Sequence, residues 1–385
     1  QRRKRQYYVQ SVALKKQYDD WLDRYHRQQQ ILSEELPVIP NLTLTQFRHH
    51  AYTLWQNNWL SLNYFITQDS LFISLTTSDA QQTLQQPLNQ HQRHLIQRAQ
   101  HHAQTMSIDD WASLGHTLLP SACRAHLAPN KVLIIIPHNI LHHIPWPLLY
   151  LNQRPLISQS IPLVLPSLTA LSQLLNIAKP TTEATQGMLL IGIEAFANNR
   201  YKPLPATKTE IQALTTAETA TLVDQQATWQ QLKKTIATRP PFIAWHLATH
   251  AFFDSYTNGR MSGFALYDKD IWLEEIEELA HTPPLIFLSA CSSLATNVYS
   301  GDEQISLALS FLQQSTQSVI GSLWEIEDGA AQQLTASFYH YWQGTTTAVE
   351  ALTLAQRQAY QNQLAMPQWG GFRLIGTGHQ TRQIL

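Results

Sequence analysis

Two short apolar segments of the chain each end in a residue that can take part in covalent chemistry. Residues 241–250 end in His250, and residues 284–291 end in Cys291. Each segment is typical of a buried strand, and the residues between them suffice for one crossover connection in a parallel sheet. We therefore expect two parallel neighbouring strands whose carboxyl ends share an edge, where open α/β sheets place their sites. A thiol beside an imidazole is a nucleophile with its base, which predicts a cysteine peptidase.

The thiol depends on the imidazole because it is mostly protonated at neutral pH. His250 can accept that proton and later donate it to the leaving amine of a peptide bond. Without such a partner, a cysteine that ends a buried strand is usually a small inert apolar side chain. His246 is the competing imidazole. It shares one side of its strand with His250 but lies further from the edge, so we assign it a core position behind the site.

A tetrahedral intermediate also needs hydrogen-bond donors for its oxyanion. The backbone N–H of Cys291 is one candidate, and the N–H of Ala251, directly after His250, is another. Every residue except proline carries a backbone N–H, so the sequence gives the positions of these candidate donors but not the direction of their N–H bonds.

The composition indicates a folded protein without a strong charge field. Of the 385 residues, 44% are hydrophobic and 14% are charged, and the net charge is −1. This balance excludes a global attraction to nucleic acid or anionic lipid. No apolar run has the length of a membrane span, and the N-terminus does not resemble a secretory signal. Two cysteines, Cys123 and Cys291, fit a reducing cytoplasm better than a disulfide framework, and we expect Cys123 to be structural.

The 17 histidines do not have the spacing of a metal site. Adjacent pairs such as His142-His143 do not share one helical face, and neither cysteines nor carboxylates cluster with them. We therefore expect no metal and no cofactor. The chain begins with glutamine, which suggests a trimmed piece of a longer protein whose missing part controls this one.

The order of predicted elements indicates two parts joined near residue 180. The first part, residues 1–179, is predicted to contain a helix over 8–35, a hairpin over 59–77, helical stretches over 88–106 and 111–127, and a buried strand over 131–137. The polar stretch 178–186 is a predicted linker. In the second part, residues 187–385, strands alternate with helices, which is typical of a mostly parallel sheet covered on both faces.

Several segments resemble the CHAT domain, a caspase-like cysteine peptidase module of clan CD that is related to separase. The resembling segments are His246–Asp254, Leu288–Cys291, Ser262–Leu266, Glu275-Ile276, Ser318–Asp328, Trp369–Gly376 and Ile136–Trp146. The resemblance implies a Cys–His dyad at Cys291 and His250. It also implies a caspase-like α/β fold, a mostly parallel sheet flanked by helices, preceded by a smaller α+β non-catalytic half. Such modules often follow tetratricopeptide arrays, so the implied partners are a protein substrate and a regulatory protein or N-terminal repeat region, without membrane or nucleic acid.

The pocket for the residue before the scissile bond is less well defined by sequence. By resemblance, Asp302, Trp324, Glu325 and Asp328 lie near strand ends that wall this pocket. A buried acid there would favour arginine or lysine, whereas a solvated or helix-capping carboxylate is the alternative for each acid. Trp324 is equally well explained as a core residue.

The chain differs from the family pattern at two places. Ala251 replaces a glycine after the histidine, which would strain the backbone if that position required a positive φ. Ser292-Ser293-Leu294 replaces Glu-Thr-Gly after the cysteine, and Leu294 would narrow the cleft or reshape the loop. These differences support an alternative hypothesis, a pseudopeptidase that acts as a protein-interaction scaffold. A third hypothesis, a cysteine-dependent acyl hydrolase, would need a closed apolar pocket.

Overall fold

The strands predicted in the second part belong to one sheet, which also contains the strands predicted in the first part. A computed structural model describes residues 42–176, 187–253, 261–290, 292–298, 304–314 and 316–382. The predicted helix over 8–35 and the predicted linker over 178–186 lie outside these residues. The elements described below belong to the compact unit Leu44–Leu385.

The first half of this unit combines an antiparallel meander with two parallel strands. Its elements are α1 (Leu44–Trp55), β1 (Trp59–Ile66), β2 (Ser70–Thr76), β3 (Gln81–Pro87), α2 (Gln90–His102), α3 (Ile108–Leu118), α4 (Ser121–Arg124), β4 (Val132–Ile136), β5 (Tyr150–Leu151), β6 (Arg154–Pro155), β7 (Ile161–Val164) and α5 (Leu168–Asn176).

The second half alternates strands with helices, as predicted. Its elements are β8 (Met188–Gly192), α6 (Ala206–Leu214), β9 (Ala220–Val223), α7 (Trp229–Thr238), β10 (Ala244–Ala248), β11 (Ala251–Phe252), β12 (Gly263–Ala265), β13 (Asp270–Trp272), α8 (Leu273–Ile276), β14 (Leu285–Ser289), β15 (Asn297–Val298), β16 (Gln304–Ile305), α9 (Leu307–Gln313), β17 (Ser318–Ser322), α10 (Asp328–Tyr341), α11 (Ala348–Gln361), α12 (Met366–Gly370) and β18 (Phe372–Gly376).

Eleven strands form the main sheet in the order β3-β2-β1-β4-β7-β18-β17-β14-β10-β8-β9. The pairs from β14 through β10 and β8 to β9 are parallel, and the antiparallel pairs lie at β1–β2–β3 and at β17–β18. The central strands β4, β8, β10 and β17 are buried along their whole length, since helices cover both faces. This confirms the predicted mixed α/β fold with a mostly parallel sheet flanked by helices.

The two halves meet inside this sheet. Strand β7 of the first half pairs with β18 of the second through Val164 and Ile375. The guanidinium of Arg373, also on β18, donates from Nη1 to the carbonyl of His142 in the first half at 2.7 Å. The boundary near residue 180 stays a prediction, because both halves share one sheet and the linker is not described.

The strands that were predicted to deliver the imidazole and the thiol are parallel neighbours. The pairing of β10 with β14 begins with Ala244 opposite Leu285 and ends with Ala248 opposite Ser289. In the sequence, His250 follows Ala248 and Cys291 follows Ser289 by the same number of residues. The predicted adjacency of the two strands is therefore confirmed.

Some local predictions were wrong in detail. The helix predicted over 111–127 ends at Leu118 and resumes only as the single turn Ser121–Arg124, because Pro120 interrupts the hydrogen-bonding pattern. β3 was missed because its residues are mostly exposed glutamines with little apolar alternation. Among the described residues, no helix combines the length and apolarity that a membrane span needs.

Candidate active site

His250 lies directly between β10 and β11 and is half-buried. Its Nε2 is 2.8 Å from the backbone carbonyl oxygen of Lys202. A carbonyl oxygen only accepts hydrogen bonds, so Nε2 carries a hydrogen and donates it. In the neutral ring Nδ1 is then the unprotonated nitrogen, which can accept a proton. The bond to Lys202 therefore selects the tautomer and leaves Nδ1 as the basic atom.

Two aromatic side chains contact the imidazole of His250. The ring of Tyr201 stacks on it with centroids 5.1 Å apart and an interplanar angle of 29°. The ring of Phe196 contacts it at 5.3 Å with an angle of 41°. These contacts and the bond to Lys202 come from one loop between β8 and α6, so this loop fixes both the plane and the rotation of the imidazole.

Ala251 presents its backbone N–H outside the ladder of the small sheet β11–β12–β13. Ala251 is opposite Phe264, and the ladder bond beside this pair runs from the Ala265 N–H to the His250 carbonyl at 2.8 Å. This pattern makes Ala251 a non-hydrogen-bonded position, whose N–H points away from β12. The residue is not among those with positive φ. The strain that alanine would suffer in a left-handed conformation therefore does not arise.

A small cleft beside His250 has a cavity volume of about 40 Å³ and opens to solvent. It lies at the carboxyl edge of the sheet, with the ends of β10 and β14 on one side and the starts of α6 and α10 on the other. The lining residues include Thr249, His250, Ser289, Ala290, Ser322, Thr207, Glu210, Ile326, Asp328 and Phe372. Ala290, the residue before Cys291, is thus part of the cleft wall. Cys291 itself lies outside the described residues, as does Asp302.

Of the predicted pocket residues that are described, Asp328 lines the cleft. It is exposed and begins α10. Glu325 is also exposed but does not belong to the cleft lining. Trp324 is buried, and its indole Nε1 donates to the carbonyl of Pro367 at 2.9 Å while its ring packs against Gly371. The structure therefore puts Asp328 in the cleft and Trp324 in the core beside it.

His246 is fully buried behind the cleft and lies between two helices. Its Nε2 is 3.1 Å from Oε1 of Glu210 on α6, and its Nδ1 is 3.1 Å from the hydroxyl of Tyr339 on α10. Burial and the nearby Glu210 carboxylate raise the pKa of Tyr339 well above its usual value of 10, so the hydroxyl keeps its proton. Gly192 at the end of β8 allows α6 to pack closely against the sheet, because a Cβ at this position would lie 2.4 Å from Cγ1 of Ile211. His246 thus ties β10 to both helices that line the cleft.

Leu294, which differs from the family pattern, has its side chain in the hydrophobic core and is 1% exposed. Its N–H donates to the carbonyl of Ser322 at 2.9 Å. The neighbouring Ser293 hydroxyl accepts from the Ser322 N–H at 3.0 Å. The segment after Cys291 is therefore attached to β17, and the leucine side chain points into the core instead of narrowing the cleft.

Sequence reasoning missed Lys202, Tyr201 and Glu210. The contribution of Lys202 is a backbone carbonyl, which carries no sequence signal. Glu210 lies in an amphipathic helix, where a carboxylate is ordinarily assigned to the solvated face. Tyr201 directly precedes Lys202, which is 48 residues before His250, so its contact with the imidazole leaves no local pattern in the sequence. Within the described ranges, no three His, Cys, Asp or Glu side chains are arranged to hold a metal ion.

Comparisons with known proteins agree with this architecture. The family model of the CHAT domain matches residues 109–377. The chain is similar to separase in the Saccharomyces cerevisiae separase–securin complex, with a TM-score of 0.56 and 12% identity over 86% of this chain. It spans 31% of that separase chain, about a third of its length. No curated protein sequence matches.

A second similar structure is the complex of Porphyromonas gingivalis RgpB pro- and mature domains. Its TM-score is 0.49 and its identity 9%, covering 76% of each chain. The match of the CHAT family model to residues 109–377 confirms the resemblance that the sequence motifs predicted. The fold is that of caspase-like cysteine peptidases.

Proposed function

The chain belongs to the CHAT domain family, and from this premise we propose that it is a cysteine endopeptidase with Cys291 as nucleophile and His250 as base. The observation that carries the proposal is the register of β10 and β14, in which Ala248 is opposite Ser289. Continuing this register beyond both strand ends would bring positions 250 and 291 level with each other. The cleft that contains His250 and Ala290 lies at the same edge.

The proposed reaction begins with transfer of the Cys291 thiol proton to Nδ1 of His250. The thiolate then attacks the carbonyl carbon of the scissile bond and forms a tetrahedral oxyanion. The protonated imidazole returns its proton to the leaving amine, and a thioester remains. Water attacks the thioester with His250 again as base, which releases the new carboxyl group and restores the thiol. Because the Lys202 carbonyl accepts from Nε2, it supports the imidazolium through each transfer.

The oxyanion is proposed to accept hydrogen bonds from the backbone N–H groups of Ala251 and Cys291. The direction of the Ala251 N–H, away from β12 on the outer side of β11, supports its part in this role. Such donors act most strongly when they are fixed before the reaction, and the ladder of β11 with β12 fixes Ala251.

Two carboxylates in the cleft favour a substrate with a basic side chain. Asp328 and Glu210 both line the cleft with His250. A cationic side chain would gain charge-assisted hydrogen bonds there, whereas an acidic one would be repelled. We therefore propose arginine or lysine before the scissile bond, with Asp328 as the selecting residue. Asp302 remains a proposed member of the pocket wall, and Glu325 and Trp324, which do not line the described cleft, are proposed only as members of a larger pocket around it.

The proposed substrate is another protein. A regulatory partner or an N-terminal region beyond this chain is proposed to control access to the cleft, and the cytoplasm is the proposed location. Neither a metal nor a cofactor enters the proposed mechanism.

Activity-based labelling tests the dyad. An acyloxymethyl-ketone peptide with arginine at the reactive end should modify Cys291, as located by mass spectrometry of the digested protein. Labelling should be lost in Cys291→Ala and strongly reduced in His250→Ala, but unchanged in the control Cys123→Ala. Incubation with a diverse peptide library would then give the cleavage motif.

The scaffold hypothesis predicts the opposite result. Equal labelling of the wild type and His250→Ala, together with an intact peptide library, would overturn the peptidase proposal. The two features that suggested a scaffold give it little support, because Ala251 is unstrained and Leu294 is in the core.

A further inference from the structure

The loop between β8 and α6 holds the imidazole of His250 on three sides. We define this aromatic loop as residues 194–204; its ends are joined by a hydrogen bond from the Leu204 N–H to the Glu194 carbonyl at 2.9 Å. Tyr201 stacks on the imidazole, the tilted ring of Phe196 contacts it at 5.3 Å, and the Lys202 carbonyl accepts from Nε2.

The aromatic loop is itself anchored to the hairpin β12–β13 by a carboxylate. Oδ1 of Asp270 accepts from the Tyr201 hydroxyl at 3.0 Å and pairs with Nη1 of Arg200 at 2.7 Å. Nη2 of Arg200 donates to the carbonyl of Leu266 at 2.7 Å. The same hairpin holds the backbone of His250 through the Ala265 N–H. One rigid hairpin thus fixes both the histidine and the side chains that orient it.

The chemistry of these contacts suits a base that gains a positive charge. The stacked Tyr201 ring presents the negative face of its π system to the imidazole, and such a face attracts the positive charge that the imidazole carries during each proton transfer. Burial and the Asp270 carboxylate raise the pKa of Tyr201 to about 12, so the hydroxyl remains a donor to Asp270. The ring is therefore held in place by a hydrogen bond at one end while its face is directed to His250.

We infer that Tyr201 is a positioning residue for the His250 base and that Asp270 holds Tyr201 in this role. The inference rests on the proposed function, since it matters for catalysis only if His250 acts as the base. It goes beyond that function because it places the control of the base in Tyr201 and Asp270, which do not line the cleft.

The variants Tyr201→Leu, Tyr201→Phe and Asp270→Ala separate the ring from its anchor. We expect Tyr201→Leu to lower kcat on an arginine-containing peptide roughly 10- to 100-fold with KM within about twofold, because the base is misplaced while the substrate pocket is intact. Tyr201→Phe keeps the stacked ring but loses its hydrogen bond to Asp270, so kcat should fall only about threefold. Asp270→Ala should fall between them.

Two further readouts do not require turnover. The Cε1 proton of His250 should show an upfield ring-current shift in the wild type and in Tyr201→Phe that is lost in Tyr201→Leu. The rate of Cys291 alkylation by iodoacetamide, measured from pH 5 to 9, should fall in Tyr201→Leu in the same proportion as kcat. Thermal unfolding of each variant shows whether it is folded. If Tyr201→Leu does not fold, the comparison of Tyr201→Phe with Asp270→Ala still tests the inference.

The inference is overturned if Tyr201→Leu loses the ring-current shift but keeps wild-type kcat and alkylation. It is also overturned if Tyr201→Phe is as impaired as Tyr201→Leu, since the hydroxyl and not the stacked ring would then act. Failure of the proposed function has a different signature: alkylation of Cys291 would not respond to His250→Ala.

Discussion

Glu210 Oε1 and His246 Nε2 lie 3.1 Å apart inside the protein, beside the cleft that Glu210 lines together with His250. Both side chains are almost completely buried, with exposures of 6% and 0%. The two atoms lie within ion-pair distance without the geometry of a hydrogen bond, so the contact between them is electrostatic. The pair therefore links β10 to α6 at the place where both help to form the site.

A double-mutant cycle on this pair should show strong coupling. We expect His246→Leu and Glu210→Leu each to lower the free energy of unfolding by about 3 kcal/mol, because each leaves a buried polar partner unmatched. The double variant should be less destabilised than the sum of the two. Urea unfolding followed by circular dichroism measures all four proteins, and strictly additive losses would contradict the pairing.

Asp328→Asn should reduce selectivity for basic substrates. We expect kcat/KM for peptides with arginine before the scissile bond to fall by about tenfold, since the charge-assisted contact becomes a neutral one. Peptides with a neutral residue at that position should be cleaved at the wild-type rate. Glu278→Gln, which removes an equal charge at an exposed position beside Lys233, is the matched control. An equal loss for both peptide classes would argue against Asp328 as the selecting residue.

Gly321→Ala should disturb the segment that follows Cys291. A Cβ at this position would lie 2.5 Å from the Ser293 hydroxyl and 3.0 Å from Cγ of Leu294. We expect kcat to fall by at least about tenfold while the free energy of unfolding falls by about 1–3 kcal/mol, a typical cost of overpacking. Gly329→Ala is the control, because its Cβ would meet nothing within 4 Å. Full activity of Gly321→Ala would show that this segment tolerates displacement.

Cys123 should be inert in the folded protein. Its side chain is fully buried, and burial raises the pKa of its thiol to about 12. Iodoacetamide at pH 7.5 should therefore leave Cys123 unmodified in native protein and modify it in urea. Peptide mass mapping distinguishes it from Cys291. Rapid native modification of Cys123 would mean that the first half opens readily.

His143 should make the protein less stable in mild acid. Burial, and then the charges of Arg373, His142 and His101, lower the pKa of His143 from 6.5 to about 4. Between these values the unfolded chain binds a proton that the folded protein excludes, so the free energy of unfolding decreases as pH falls. The loss begins near pH 6.5 and reaches about 3 kcal/mol below about pH 4.

His143→Gln tests this linkage because it removes the titrating group. Urea unfolding at intervals between pH 4 and pH 7 should show a flatter pH dependence for the variant than for the wild type. Identical slopes would assign the acid sensitivity to other groups. His340→Gln, at an exposed position on α10, serves as the comparison.

The strands were predictable where apolar runs were long and bounded. The segments 241–250 and 284–291 were predicted as strands from such runs, and their adjacency in the sheet followed from the length of the crossover between them. β3 was not predicted, because a polar strand at the edge of a sheet is held by its neighbour more than by its own residues.

The sequence by itself determined the chemistry that is available: an imidazole and a thiol at the ends of two buried strands, in a chain with the motifs of one family. Residue types and local periodicity are enough for that, since they decide which segments are buried and which side chains follow them. Only the tertiary structure decided how His250 is held. The Lys202 carbonyl, the stacked Tyr201 ring and the Asp270 anchor are brought together by folding, and neither a backbone carbonyl nor a ring contact between distant residues leaves a pattern in the order of amino acids.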